Sequence, residues 1–133
     1  YAERSFLVKI LAENLSSYQH SYLLRAIPHV VDLYPTEHYL RRAEAKNITW
    51  IEAQDAVRRG ELIEYHVTEE MERRVLLRAD SGVCVVVALG SMELVTCYRN
   101  EADDQHDNMN MSRYWQGPVL DSMLGIGRTW LDA

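Results

Sequence analysis

The amino-acid sequence predicts an α+β fold, with N-terminal helices packed on a four-stranded antiparallel sheet. Three observations carry this expectation. Apolar residues recur at helical spacing before residue 60, the pattern changes to alternation after Gly60, and tight-turn residues separate the last segments. At 133 residues the chain suits one domain that buries a core without disulfide staples. By composition it divides into a helical extension over 1–35, a core over 36–100 and an acidic segment over 101–133.

Taken in order, Phe6, Leu7, Ile10, Leu11 and Leu15 recur as one face of an amphipathic helix over 3–15. A second helical stretch, 17–27, presents Tyr18, Tyr22, Leu23 and Ala26, and Pro28 should end it. "PHVVDLYP", bounded by prolines, reads as an extended connector. Thr36 is placed to cap a helix over Glu37 to Lys46, with Leu40 and Ala43 on its core face and Asn47 as the stop. Thr49 and Glu52 form the capping box of a helix that ends at Gly60, with Trp50, Ala53 and Val57 as its buried stripe. "ELIEYHVT", "RRVLLRA", "VCVVVALG" and "ELVTCYRN" then read as strands, the last three joined by "DSG" and "GS" turns and therefore antiparallel. The third strand is almost wholly apolar, which puts it mid-sheet with both faces covered.

The net charge of −6 argues against general adhesion to nucleic acid, which needs clustered Lys and Arg. The balance is uneven, however. Residues 36–99 hold eleven acids and nine bases, whereas 100–133 hold six acids and two bases. A local basic site in the middle is compatible with an acidic tail. No apolar run reaches the roughly 18 residues of a membrane span, and no signal-peptide pattern is present. A chain opening at Tyr1 reads as a processed piece, compatible with the C-terminal module of a larger delivered protein. Cys84 and Cys97 lie in no metal-like spacing. In a hairpin whose facing positions sum to about 183, Cys84 would oppose Arg99 rather than Cys97. Two free thiols suit a reducing, cytoplasmic setting.

Positions i and i+4 share a helix face, so His38 and Arg42 point the same way. Imidazole moves protons near neutral pH and guanidinium grips two phosphate oxygens, a pair suited to phosphodiester chemistry. A solvated helix face is the commoner meaning of such spacing, since Glu37, Arg41, Glu44 and Lys46 crowd the same helix. In "RRVLLRA", Arg74, Leu76 and Arg78 fall on one face and Arg73, Val75 and Leu77 on the other. A strand with arginine on both faces is an edge strand or one that lines a site. Likewise Thr96 and Tyr98 share a face opposite Arg99.

Other constellations carry less. "DDQHD" gathers Asp103, Asp104, His106 and Asp107 but lacks EF-hand spacing, and a solvated loop is the commoner meaning. His20, His29 and His38 recur every nine residues, but Pro28 and Pro35 prevent a shared helical face. "GIG" at 125–127 lacks the strand and helix that frame a phosphate loop.

"HYLRRAEAKNITWIEAQDAVRRGELIE", followed by arginine-bearing strands and "ELVTCYRN", resembles a RelE-like family of small toxin-type ribonuclease domains. The match covers about 36–100 and departs at Lys46–Asn47, where the family pattern has Arg-Gly. The resemblance implies a RelE-like fold and RNA cleavage without metal or cofactor. It places His38, Arg42, Arg78, Thr96 and Tyr98 in the site, and it implies a neutralising protein partner. His38 would carry the proton, with Arg42 and Arg78 converging on the phosphate. The rival expectation, from another class, is a non-enzymatic interaction protein of phage or immunity type.

Overall fold

From Gly60 onward the chain folds as its alternation dictates. In the computed structural model, which describes residues 6–99 and 113–127, four strands follow one another as an antiparallel meander. They are β3 (Glu61–Thr68), β4 (Arg73–Arg78), β5 (Val83–Ala88) and β6 (Glu93–Arg99). Every residue of β5 is buried, as an apolar strand between two neighbours should be.

The sheet has six strands, not the four expected. Phe6–Leu11 forms strand β1 and Tyr34–Pro35 forms strand β2, giving the order β1-β3-β4-β5-β6-β2. β2 runs parallel to β6 and the other pairings are antiparallel. The helix expected over 3–15 is therefore corrected, among the described residues, to a strand over Phe6–Leu11 and a short 3-10 turn over Ala12–Asn14. "FLVKIL" is a six-residue apolar run, too short for a 3.6 period to be told from alternation. Its odd member, Lys9, belongs to the second face of the sheet: Val8 and Ile10 enter the core, and Lys9 pairs across to His66.

Three helices follow their caps: α1 (Ser17–Ala26), α2 (Glu37–Ala45) and α3 (Trp50–Arg59). Ser16 with Gln19, and Thr49 with Glu52, make reciprocal capping boxes, while Thr36 caps α2 by accepting from the Tyr39 amide. Asn47, at φ 55°, ends α2 as expected. Two side chains differ from expectation. Tyr39, not Leu40, is the residue α2 buries, and Leu40 is 53 % exposed. Trp50 is 43 % exposed, and Ala53, Ala56 and Val57 are the residues α3 buries.

All three helices lie on one face of the sheet, over Val75, Leu77, Val83, Val85, Val87 and Cys97. The opposite face carries Leu76, Cys84, Val86 and Tyr98 as a second, smaller apolar cluster. Cys84 pairs in register with Tyr98, and Cys97 with Val85, one residue off the expected register. The two thiols thus sit on opposite faces and are not bonded to each other.

The helix layer is sealed by a return of the chain over 113–127. Its 3-10 turn, Asp121–Leu124, is tied down by Tyr65 Oη donating to the Met123 carbonyl at 2.8 Å and Arg73 Nη1 donating to that of Leu124 at 2.8 Å. Gln19 Nε2 reaches the Val119 carbonyl and the Asp121 carboxylate. None of the described helices is long and apolar enough to cross a membrane.

Candidate functional site

Strand parity decides where the expected residues go. α2 packs on β6 from the helix side, with the Cys97 thiol 3.9 Å from the Tyr39 carbonyl oxygen. His38 and Arg42, both half-buried, lie about a quarter-turn from Tyr39 and stay in that layer. Arg78, Cys84 and Tyr98 form one transverse row across β4, β5 and β6 on the other side. Thr96, fully buried, shares that face. The sheet thus stands between His38 and Arg42 on one side and Arg78, Thr96 and Tyr98 on the other. The expected convergence of Arg42 with Arg78 does not occur. Arg78 and Tyr98 are two strand spacings apart, roughly 10 Å between backbones, and Arg78 Nη2 is 3.1 Å from Glu61 Oε1. Asp103, Asp104, His106 and Asp107 lie outside the described residues.

The helix-free face carries a polar constellation that the sequence reading missed. Lys9, Glu64, His66, Arg74 and Thr96 are all buried there. Lys9 and His66 are opposite each other across β1 and β3, and His66 and Arg74 across β3 and β4. Glu64 is the hub. Its Oε2 lies 3.7 Å from Lys9 Nζ and 3.3 Å from His66 Nδ1, and its Oε1 accepts from Tyr114 Oη at 2.7 Å. The Lys9 ammonium lies 5.1 Å from the ring centres of both Phe6 and Tyr114. The Phe6 ring meets His66 edge-on at 4.5 Å between centroids. Arg74 Nε donates to Glu72.

Charge states follow from these contacts. Burial pushes the Glu64 carboxyl up, but His66, Lys9 and Tyr114 outweigh it and hold the group below the usual carboxylate range. Burial also pushes the His66 imidazole down, by more than Glu64 pulls it up. These directions favour the carboxylate form of Glu64 and the neutral form of the His66 imidazole. The carboxylate 3.3 Å from Nδ1 favours the ring proton on that nitrogen, although the contact falls short of hydrogen-bond geometry. This leaves the lone pair on Nε2. Four buried side-chain atoms on this face make no hydrogen bond: His66 Nε2, His66 Nδ1 (although it lies 3.3 Å from Glu64 Oε2), Arg74 Nη1 and Thr96 Oγ1. Native interiors leave few such groups, because each costs about 1–3 kcal/mol.

A signal for part of this lay in the sequence. In "ELIEYHVT", alternation puts Glu64 and His66 on one face, and antiparallel pairing with "RRVLLRA" brings Arg74 beside them. Lys9 had no such signal while its segment read as a helix. Among the described residues no group of His, Cys, Asp and Glu has the arrangement of a metal site. No protein-family model, no curated protein and no solved structure matches the chain.

Proposed function

We propose that the chain is an RNA-cleaving domain working by acid–base chemistry without metal, and that its working face is the helix-free side of the sheet. One observation supports this best. A buried imidazole, guanidinium and hydroxyl, those of His66, Arg74 and Thr96, share that face and each keeps a polar atom unpartnered. The sequence resemblance supplies the substrate, and Thr96, Tyr98 and Arg78 of its expected set belong to the same face.

In this reading His66 Nε2 takes the proton of a ribose 2′-hydroxyl. The 2′-oxygen then bonds to phosphorus as the bond to the 5′-oxygen breaks, and the 5′-oxygen takes a proton from water. Arg74 meets the charge that develops on the phosphate, and Thr96 can donate to the same group. Glu64, with Oε2 3.3 Å from Nδ1, acts as a positioning residue by its charge beside the ring. The imidazole is only 2 % exposed, so RNA must displace part of what covers it. Tyr114, bonded to Glu64 and stacked against Lys9, is one such part.

The test is cleavage of single-stranded RNA in EDTA, with the ends of the products identified. Cyclic 2′,3′-phosphate ends are expected. His66→Gln should slow the reaction about 10²- to 10⁴-fold, as loss of a general base does. Intact RNA, or cleavage dependent on added Mg²⁺, would sink the reading. A second reading, a non-enzymatic interaction protein, has its own observation. The helix layer leaves Val31, Ile51 and Tyr34 more than two-thirds exposed, with Leu40, Trp50 and Leu24 also exposed. Its mark would be a bound protein and no RNA product.

A further inference from the structure

His66 and Arg74 are direct cross-strand neighbours, so their side chains rise from one face with Cβ atoms about 5 Å apart. They are 2 % and 8 % exposed, and His66 Nε2 and Arg74 Nη1 have no hydrogen-bond partner. Arginine cannot shed its charge to relieve this. Both nearby carboxylates are engaged elsewhere, Glu72 on Arg74 Nε and Glu64 on Lys9, Tyr114 and His66 Nδ1. Beyond Arg74 in the same row stands Ala88, the smallest residue that β5 shows on this face, which adds only a methyl beside the guanidinium. One small group with two or more acceptor oxygens would meet both nitrogens at once.

We infer that His66 Nε2 and Arg74 Nη1 together seat a single tetrahedral oxyanion of the phosphate class. The inference rests on the sheet-face reading above and names the group that this face grips. Among the described residues, the charges around the imidazole are Lys9 on β1, Glu64 on β3 and Arg74 on β4, the last paired with Glu72 in the turn between β3 and β4. They cancel in pairs, and the rings of Phe6 and Tyr114 add no charge. An anion arriving beside Nε2 therefore meets a lone pair, not a donor. A proton must join the contact, taken up by Nε2 for sulfate or brought by the P–OH of phosphate, so sulfate binding is coupled to proton uptake. The protonated Nε2 is also the state the imidazole reaches after taking a 2′-hydroxyl proton.

The probes are inorganic phosphate and sulfate, titrated into the full chain and followed by calorimetry and by the ring nitrogen resonances of His66. Saturable binding is expected, with Nε2 moving toward its protonated position. Sulfate does not titrate near neutrality, so its affinity should fall by up to about tenfold per pH unit as pH rises, the limit for one coupled proton. Arg74→Gln should weaken both anions at least about tenfold, the scale of one charge-assisted contact. Arg58→Ala, on the exposed side of α3, should not. His66→Gln should remove the pH dependence. If Arg74→Gln does not fold, the His66 resonances of the unaltered chain carry the test. Equal phosphate affinity in Arg74→Gln, or His66 resonances unmoved at saturating anion, overturns the inference. Phosphate bound while RNA stays intact sustains this site and ends the ribonuclease reading. Cleavage that survives Arg74→Gln, with His66 unmoved by either anion, ends this site and leaves cleavage to other residues. Displacement of phosphate by a short single-stranded RNA assigns the site to phosphodiesters, and failure to displace it assigns it to a free anion.

Discussion

His66 is the residue on which most turns, and its burial makes a pH signature. Its pKa is depressed below the ordinary 6.5 in the folded chain, chiefly by burial. Between that value and the folded one, the unfolded chain binds a proton that the native imidazole refuses. Stability therefore falls as pH drops below about 6.5, with a slope that approaches roughly 1.4 kcal/mol per pH unit. Urea unfolding at intervals between about pH 7.5 and 5 should show the fall, and His66→Gln should flatten it. An unchanged slope in that variant would assign the effect to another group. The carboxylates act in a lower window. Glu64 and Glu52 are held below the ordinary 4.5, Glu52 chiefly by the Thr49 amide and Glu64 by partners that overcome its burial. Their contribution is present above that value and is lost as pH falls through the folded one. Lys9 needs Glu64 equally, since removing one member of a buried ion pair typically costs about 3–5 kcal/mol.

At the scale of elements, the 3-10 turn over Asp121–Leu124 depends on the glycine that ends it. Gly125 has φ +86°, and a Cβ built there would stand 2.1 Å from Arg73 Nη1, the atom that donates to Leu124. Gly125→Ala must both hold a left-handed backbone and push that guanidinium away, at a cost of about 2 kcal/mol or more. Its urea midpoint should drop accordingly, whereas Gly90→Ala, with nothing within 4 Å, should move it little. A Gly125→Ala chain as stable as the parent would show that the turn does not hold the helix layer. Elements differ in how much of them the sequence disclosed. Thr49 and Glu52, Asn47, and the four strands after Gly60 were legible because each rests on a local rule. β1 was not, because a six-residue run apolar but for Lys9 fits either period and its pairing with β3 spans some fifty to sixty residues. Tyr39 and Trp50 were misjudged for a related reason. Which face α2 buries depends on where the two-residue strand β2 delivers it, and which face α3 buries depends on the long-range packing of Ala53, Ala56 and Val57.

At the scale of the molecule, the sheet divides the chain into two chemically distinct sides. The helix side holds the larger core and shows apolar residues at its rim, while the other side holds the buried charges. The His38–Arg42 spacing was read correctly as one helix face, but no local rule says on which side of a sheet a helix will lie. That separation allows the two functional readings to be set against each other in one experiment. If the chain is a toxin-type ribonuclease, inducing it should stop cell growth, and His66→Gln or Arg74→Gln should restore it. Ile51→Lys, at a position 76 % exposed in the first turn of α3, should cost less than about 0.5 kcal/mol of stability and leave growth arrested. If the chain works by holding another protein on its helix side, the pattern reverses: Ile51→Lys abolishes the phenotype, and His66→Gln matters only as far as it lowers the folded fraction. Measuring stability alongside growth separates the cases, because a folded His66→Gln that still arrests growth excludes the sheet face as the working surface.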